Sequence, residues 1–165
     1  MKTKNICTTA VATALIFAVT RFIQIPIPLG YFNVGNTIIL LFALFLPEKC
    51  GILAGGVGSA LADLSSYPAY TLPTLVIKSL MVLIFCKCRR HFHGSKAANP
   101  FAIGISTLIS LFGYTLTGMI LYGSFYTGLA QFPGLLLEYA ANLILFTLAQ
   151  SQVQKIARRA ERQAA

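Results

Sequence analysis

Charged residues are scarce in this sequence, and acids are the scarcest of them. Only 10% of the 165 residues are charged, and Asp and Glu together number four. A soluble domain carries about 25% charged residues, whereas 56% of this chain is hydrophobic. The composition therefore predicts a single integral membrane domain over residues 1–165. A spanning helix needs about 20 mostly apolar residues, so six such helices with short loops would use the whole chain.

The motifs of several enzyme and nucleotide-binding classes are also missing. The chain has no GxxxxGK[ST] phosphate loop, so it is not expected to bind ATP in that way. The Gly-Gly-Val-Gly segment at 55–58 is not a dinucleotide fingerprint, because no third glycine follows at the required spacing. There is no HExxH, no GxSxG and no acidic cluster that would hold a catalytic metal. We predict no catalytic residue, no bound metal and no cofactor in this chain.

Cysteines are too few for a disulfide framework. We interpret the four of them as free thiols at helix ends that face a reducing cytoplasm. Part of the sequence does supply four zinc-type ligands, Cys86, Cys88, His91 and His93. Their spacing differs from that of zinc fingers, and neighbouring Lys and Arg side chains would repel a dication. A basic loop beside the membrane is the preferred interpretation. The complete cysteine set is Cys7, Cys50, Cys86 and Cys88.

Apolar segments separated by Gly, Pro and polar residues predict an all-α bundle of six transmembrane helices, at 6–23, 34–46, 51–64, 72–85, 101–121 and 134–153. The second and third are short, so a re-entrant hairpin is an alternative. Glu48 and Lys49 at its tip disfavour it, because two charges would be stranded in the bilayer. Residues 24–33 and 122–133 are predicted to be loops. The N-terminus resembles a secretory signal but has no clear cleavage site, so it is expected to remain as the first helix.

Basic residues concentrate on one side of the predicted bundle. Of the 13 Lys and Arg residues, all but Arg21 and Lys78 fall in the N-terminus, the second loop, the fourth loop and the C-terminal tail. In a six-helix protein these segments share one side, so the positive-inside rule predicts that both termini are cytoplasmic. The net charge of +9 is then a topology signal with contact to anionic lipid, and no nucleic-acid partner is expected.

Four charged residues fall inside predicted helices, all towards the outer side of the bundle: Arg21, Asp63, Lys78 and Glu138. Charges within a membrane are costly and by default indicate function. One interpretation is structural, with ion pairs Asp63–Lys78 and Arg21–Glu138 that only fix packing. The other is a small-molecule pocket. Two bases balance two acids, which favours a neutral or zwitterionic ligand. The polar and aromatic residues predicted at the same depth are Asn36, Tyr67, Tyr70, Tyr114, Tyr122, Tyr126 and Asn142.

Small residues mark two helix faces. Ala10, Ala14 and Ala18 recur every four residues and share one face of the first helix. That face either packs tightly inside the bundle or is exposed as a docking surface for another membrane subunit. Gly51 and Gly55 form a GxxxG pair in the third helix, which predicts close packing there.

Taken together, these segments resemble the substrate-binding S component of an energy-coupling factor (ECF) vitamin transporter, in its riboflavin-type branch. The resemblance rests on the alanine register, on GYFNVGNTIILL at 30–41, and above all on GGVGSALADL at 55–64 and YPAYTLPTLVIK at 67–78. One residue departs from the pattern: Asn36 stands where family members often have an acid.

The resemblance implies a vitamin-binding membrane subunit with a site near its outer surface, in the bacterial cytoplasmic membrane. It implies that the alanine face docks on a transmembrane T component coupled to two ATPases, which would hold the ATP and Mg²⁺. It also implies that the S component tips over in the membrane during transport. The first expectation for the substrate is a hydroxymethylpyrimidine or pyridoxine-like compound, and the second is riboflavin. The residues expected to form the substrate site are Asn33, Asn36, Asp63, Tyr67, Tyr70, Lys78, Tyr114, Glu138 and Asn142.

Two other functions are compatible with the sequence. An autonomous ion-coupled carrier would use Asp63, Lys78 and Glu138 to relay protons. An intramembrane enzyme is the least supported, since no nucleophile–base or metal set is recognisable.

Overall fold

The computed structural model describes residues 3–27, 30–92 and 98–164, which form a helical bundle with one short hairpin. In chain order the elements are α1 (Thr3–Phe22), β1 (Gln24–Ile27), β2 (Gly30–Asn33), α2 (Gly35–Phe45), α3 (Glu48–Ser66), a 3-10 turn (Pro68–Tyr70), α4 (Thr71–His91), α5 (Ala98–Leu121) and α6 (Phe125–Ala164). Four helical stretches are long and apolar enough to cross a membrane, in α1, the turn with α4, α5 and α6. With 11 residues, α2 is about 16 Å long and crosses about half of a hydrocarbon core.

The segment predicted as the first loop is a β-hairpin. β1 and β2 pair antiparallel from Gln24↔Asn33 to Ile27↔Gly30. The prediction that this segment is not helical is confirmed, and outside this short hairpin the described residues are helical, as predicted. Both strands of a two-stranded sheet are edges, and an edge strand tolerates a proline such as Pro26 where the position of the missing N–H faces away from the partner strand.

The charged turn predicted between the second and third helices is shorter than expected. α3 begins at Glu48, so only Leu46 and Pro47 separate it from α2. Pro47 lies at the N-cap with extended ψ of 143°, and an acid in the first helical turn is favoured by the helix dipole. The Glu48 carboxylate also accepts a 2.6 Å bond from Arg90 in the last turn of α4.

The predicted loop 122–133 is wrong. α5 and α6 are separated by three residues, where Gly123 has a φ of 61°, a conformation that favours glycine. α6 begins at Phe125 and continues through Pro133. Proline removes one backbone hydrogen bond from a helix interior, and α5 packs closely on this part of α6. A Cβ on Gly128 would lie 2.8 Å from the carbonyl oxygen of Thr115. The helix also continues into the predicted C-terminal tail, to Ala164.

Glycines let α3 contact three other helices. A Cβ on Gly58 would lie 2.8 Å from the carbonyl oxygen of Thr13 in α1, and one on Gly55 would lie 2.8 Å from Ile39 in α2. A Cβ on Gly56 would lie 3.2 Å from the carbonyl oxygen of Leu75 in α4. The close packing predicted for this helix is confirmed, because small residues permit such approach between helices in lipid.

The bundle has two distinguishable ends. At the hairpin end, the Gln24 amide donates a 3.4 Å bond to the Ser66 hydroxyl at the end of α3. At the opposite end, which we call the Glu48 end, Glu48 meets Arg90. α1 ends beside the hairpin, whereas α6 passes the hairpin end near its start, where Gln131 bonds to Tyr70. The start of α1 and the later part of α6 therefore both lie towards the Glu48 end.

Buried side chains are arranged in two layers along the bundle. Towards the Glu48 end they are apolar and include Met81, Val82 and Phe85 of α4. The Phe85 and Phe146 rings meet edge to face, 5.7 Å apart. Nearer the hairpin end, the buried side chains of the same helices are polar, among them Thr74 and Lys78. This polar layer is the candidate functional site.

Candidate functional site

Asn36 joins a buried base to a buried acid. The Lys78 ammonium donates a 2.5 Å bond to Asn36 Oδ1, and Asn36 Nδ2 donates a 3.1 Å bond to Glu138 Oε1. Asn36 lies in the first turn of α2, Lys78 in α4 and Glu138 in α6. All three are at most 6% exposed. Three helices thus converge on one hydrogen-bonded set, in which the two charges offset each other.

Lys78 has two further neighbours on α5. Its ammonium donates a 3.0 Å bond to the Ser110 hydroxyl and lies 4.9 Å from the ring centroid of Tyr114. A cation over a tyrosine face is stabilised by the ring electrons. Ser110 and Tyr114 are four residues apart, so one helix face supplies both contacts.

A second polar group extends from Tyr114 towards the hairpin end. The Thr74 hydroxyl donates to Asp63 Oδ2. It lies 2.9 Å from the Tyr114 hydroxyl. Since Thr74 has a single proton, Tyr114 is the donor in that second bond. Tyr114 therefore connects the Lys78 group to Asp63 through side chains that are mostly buried.

Two tyrosines of the YPAY segment occupy different environments. Tyr70 is buried, its hydroxyl accepts a 3.0 Å bond from Gln131, and its ring lies 6.3 Å from that of Tyr114. Tyr67 is 38% exposed and follows the last turn of α3, where its amide bonds to the Asp63 carbonyl. Tyr70 belongs to the polar layer, and Tyr67 lies at its rim.

Asn33 and Asn142 lie beside the Lys78–Asn36–Glu138 set and bond mainly to backbone. Asn33 Oδ1 accepts a 2.6 Å bond from the amide of Gly35, the first residue of α2. Asn142 is fully buried and bonds to Thr37, to the Asn33 carbonyl and to the Glu138 carbonyl. These contacts hold the start of α2 against α6.

A small cavity adjoins the buried charges. It has about 10 Å³ accessible to the centre of a water molecule, which corresponds to about one water. Amide, hydroxyl and carboxylate groups line it and could bond to a water molecule there. Its lining is Asn36, Thr107, Ser110, Leu111, Tyr114, Leu135, Glu138 and Tyr139.

The structure brings eight of the nine predicted substrate-site residues into one polar layer, in which seven are buried and Tyr114 is half-buried, with Tyr67 at its edge. Two further tyrosines were predicted at the same depth. Tyr126 is 81% exposed and lies outside the layer, whereas Tyr122 is 46% exposed and lies beside Tyr70 at its edge. The residues that the sequence did not identify are Thr37, Thr74, Ser110 and Gln131.

Spacing along the helices could have identified some of these missed residues, because they share a helix face with a predicted site residue. Thr74 precedes Lys78 by four residues, and Ser110 precedes Tyr114 by four, so each shares a helix face with a predicted residue. Gln131 precedes Glu138 by seven on the same face of α6. That relation was hidden, because the segment was predicted to be a loop.

The ion pairs considered as a structural alternative are not found among the described side chains. Glu138 bonds to Asn36, and Lys78 bonds to Asn36 and Ser110. The ion pair seen within the described residues is Arg90–Glu48 at the opposite end of the bundle.

The alanine face of α1 is turned away from the bundle interior. Ala10 and Ala14 are exposed and Ala18 is half-buried. The residues that α1 buries are Thr9, Ala12, Ile16 and Thr20. Beside the alanine face is an apolar groove between α1 and α3, lined by Phe17, Leu53 and Leu61 among others. Packing inside the bundle therefore does not account for Ala10 and Ala14.

Within the described residues, no three potential metal ligands cluster together. His93 of the Cys/His segment lies outside those residues. Cys50 is buried, Cys7 is exposed, and Cys86 and Cys88 are half-buried free thiols.

Three comparisons with known proteins show what this chain is similar to. The family model described as "ECF-type riboflavin transporter, S component" matches residues 1–155. A protein of Pyrococcus woesei, described as an uncharacterized protein in gap 3'region, is 37% identical over 111 residues, covering 63% of this chain and 71% of that protein. The solved structure of the S component of a bacterial ECF transporter has a TM-score of 0.75 and 16% identity, covering 95% of this chain and 99% of that one. At that identity the match shows the fold.

Proposed function

This chain belongs to the family of S components of ECF-type riboflavin transporters, and on that basis we propose that it binds one small water-soluble vitamin or vitamin precursor. An S component is the substrate-binding membrane subunit of such a transporter. The observation that carries the proposal is the buried Lys78–Asn36–Glu138 set beside Tyr114. Convergent polar groups next to aromatic walls are the usual form of a ligand site.

The charge balance of the site favours a neutral heterocycle with both donors and acceptors. Lys78 and Glu138 offset each other through Asn36, so neither is left unpaired for an ionic ligand. We propose hydroxymethylpyrimidine or pyridoxine first, and riboflavin second. The residues proposed to contact ligand are Asn36, Asp63, Tyr67, Tyr70, Lys78, Tyr114 and Glu138. Asn33 and Asn142 belong to the same polar layer and lie beside these residues.

Ligand binding would require the site to widen. Pockets for small molecules have volumes of about 300–1,000 Å³, whereas the cavity beside Glu138 holds about one water. The elements that contact the polar layer at the hairpin end include β2, where the Asn33 carbonyl accepts a bond from Asn142, and the start of α6, where Gln131 bonds to Tyr70. We propose that these elements move when ligand enters.

The proposed partners are a transmembrane T component and two ATPases, which would bind ATP and Mg²⁺. The exposure of Ala10 and Ala14 supports this proposal, because α1 packs on the bundle with its opposite face and leaves these two small residues uncovered. Small residues allow a second helix to approach closely in lipid. We further propose that both termini are cytoplasmic, which agrees with the basic side chains of Lys4, Lys49 and Arg90 at the Glu48 end.

Native mass spectrometry of the purified full chain tests the ligand directly. The chain would be mixed with equal amounts of hydroxymethylpyrimidine, pyridoxine, riboflavin, thiamine, biotin and pantothenate. We expect one adduct of mass equal to hydroxymethylpyrimidine or pyridoxine, and a riboflavin adduct would support the second choice. Retention of biotin, pantothenate or thiamine alone would contradict the charge argument.

A second candidate function is an autonomous ion-coupled carrier. It is favoured by one observation, the continuous donor path from Tyr114 through Thr74 to Asp63. A carrier would accumulate ligand in liposomes that contain only this chain and a pH gradient, and Glu138→Gln would abolish accumulation while leaving binding. An S component would accumulate ligand only with its T component and ATPases. Reconstitution with and without those subunits separates the two functions.

A further inference from the structure

We infer that Asn142 is a positioning residue, which holds Asn36 at the correct distance from Glu138 and does not itself touch ligand. This inference rests on the proposed function, since it concerns how the binding set is assembled. It changes the role expected for Asn142 from the sequence, where a polar residue one turn from Glu138 was expected to contact substrate.

The Asn142 amide has no remaining hydrogen-bonding capacity. A side-chain amide offers two donors and two acceptor sites. Asn142 Nδ2 donates to the Asn33 carbonyl at 3.0 Å and to the Glu138 carbonyl at 2.9 Å. Asn142 Oδ1 accepts from the Thr37 amide at 2.9 Å and from the Thr37 hydroxyl at 2.8 Å. All four positions are used within the protein, and the side chain is fully buried.

These four bonds connect three elements at one point. Asn33 is the last residue of β2, Thr37 lies in the first turn of α2, and Asn142 and Glu138 lie one turn apart on α6. The first amides of a helix need partners from outside the helix, and Thr37 has one in Asn142 besides its 3.1 Å bond to the Val34 carbonyl. Asn36 is the neighbour of Thr37 in the sequence, so fixing Thr37 fixes the amide that bridges Lys78 and Glu138.

The orientation of Asn36 depends on this arrangement. Its oxygen must face Lys78 and its nitrogen must face Glu138. If the first turn of α2 moved away from α6, the bond from Asn36 to Glu138 would be lost, because it joins those two helices directly. Asn142 therefore acts on the ligand site through Asn36.

Hydrogen–deuterium exchange of the full chain in lipid nanodiscs tests the inference without any ligand. In Asn142→Leu we expect exchange of the peptide covering residues 33–40 to accelerate by about tenfold, a loss of about 1.4 kcal/mol of local protection. Thr37→Val should give a smaller increase, and Thr37→Ser, which keeps the hydroxyl, should match the wild type. The control is Phe146→Leu, a fully buried site one turn further along α6. Unchanged exchange in Asn142→Leu, or a uniform increase like that of the control, would overturn the inference.

Binding assays in two backgrounds test whether Asn142 acts through Asn36. The probes are hydroxymethylpyrimidine, pyridoxine and riboflavin, each measured singly by calorimetry. For any probe that the wild type binds, Asn142→Leu should weaken affinity about tenfold, but less than about twofold when Asn36→Ala is already present. Equal losses in both backgrounds would contradict a positioning role. If the wild type binds none of the three probes, the proposed substrate fails, and the exchange experiment alone decides the role of Asn142.

Discussion

Asn36 joins two opposite charges without adding a third. Its oxygen accepts from Lys78 and its nitrogen donates to Glu138. A carboxylate at this position would have no proton to donate to an ionised Glu138 and would place a second negative charge beside it. The amide therefore keeps the set balanced, which is the physical reason to expect a neutral ligand.

Replacing Lys78 by Met should weaken ligand binding by more than tenfold, which is about 1.4 kcal/mol. The ammonium that orients Asn36 and lies against Tyr114 would be lost. Glu138 would also remain as a buried charge without compensation, which is strongly unfavourable. Calorimetry with the ligand identified by mass spectrometry would measure the change.

Two matched variants make this prediction specific. Lys49→Met removes the same charge from an exposed position and should leave affinity unchanged. Lys78→Met combined with Glu138→Gln removes both buried charges, so it should regain the unfolding temperature lost by Lys78→Met without regaining affinity. Wild-type affinity in both Lys78→Met and Glu138→Gln would remove these residues from the site.

At the scale of helices and strands, hydropathy located the elements better than it located their ends. α1 and α2 begin within three residues of the prediction. α4 continues past the predicted end at 85 to His91, because Arg89, Arg90 and His91 in the last turn are favoured by the helix dipole. An apolar pattern reports which residues face lipid or core, and it says little about a helix that continues into water.

The error at Pro133 had a larger consequence than a misplaced boundary. A proline was taken to end a loop, whereas α6 continues through it and packs closely on α5 at Gly118 and Gly128. As a result Gln131, which bonds to Tyr70, was placed outside the bundle. The predicted residues do lie together, but which residue contacts which depends on how the helices pack, and spacing along the chain does not encode that.

Gly58→Ala should destabilise the protein by about 1–3 kcal/mol, the usual cost of overpacking. The added Cβ would lie 2.8 Å from the Thr13 carbonyl oxygen, which is backbone and cannot rotate away, and 2.9 Å from Ile16. α1 and α3 would have to separate. Thermal unfolding of the purified protein in detergent would show the loss.

Gly104→Ala is the matched comparison for Gly58→Ala. At Gly104 the nearest atom to an added Cβ is the Tyr139 hydroxyl at 3.7 Å, an ordinary contact. Alanine is also about 1 kcal/mol more favourable than glycine within a helix, so the unfolding temperature should stay the same or rise. A similar loss in both variants would mean that helix contact at Gly58 is not the cause.

For the whole molecule, the two ends of the bundle provide a test of orientation. In a variant whose four native cysteines are replaced, a single cysteine would be introduced at Lys49 or at Tyr126, both of which are exposed. We expect a membrane-impermeant maleimide to label Tyr126→Cys in intact cells and Lys49→Cys only after lysis. Labelling in the reverse order would contradict cytoplasmic termini.

Ala14→Phe should separate binding from transport. Ala14 is exposed on α1 and is not among the residues that this helix buries, so ligand affinity should be unchanged. A phenyl ring would hold a docked helix away from the small-residue face, and uptake driven by the T component and ATPases should fall at least about tenfold, or about 1.4 kcal/mol. Ile120→Phe, at a 71% exposed position of α5, is the control and should transport normally. Normal uptake by Ala14→Phe would exclude this face as the docking surface.

The apolar layer near the Glu48 end gives the bundle the form of a cup and not of a tube. Met81, Val82, Phe85 and Phe146 are fully buried and close its base. Opening a passage between them would expose apolar surface, at about 25 cal/mol for each Å² that meets water. For a solute bound in the polar layer, the shorter exit is through the rim at the hairpin end, where it would also enter. The resemblance to S components implies that delivery to the other side of the membrane turns the whole subunit, and this shape agrees with that implication, since the rim itself would then change sides.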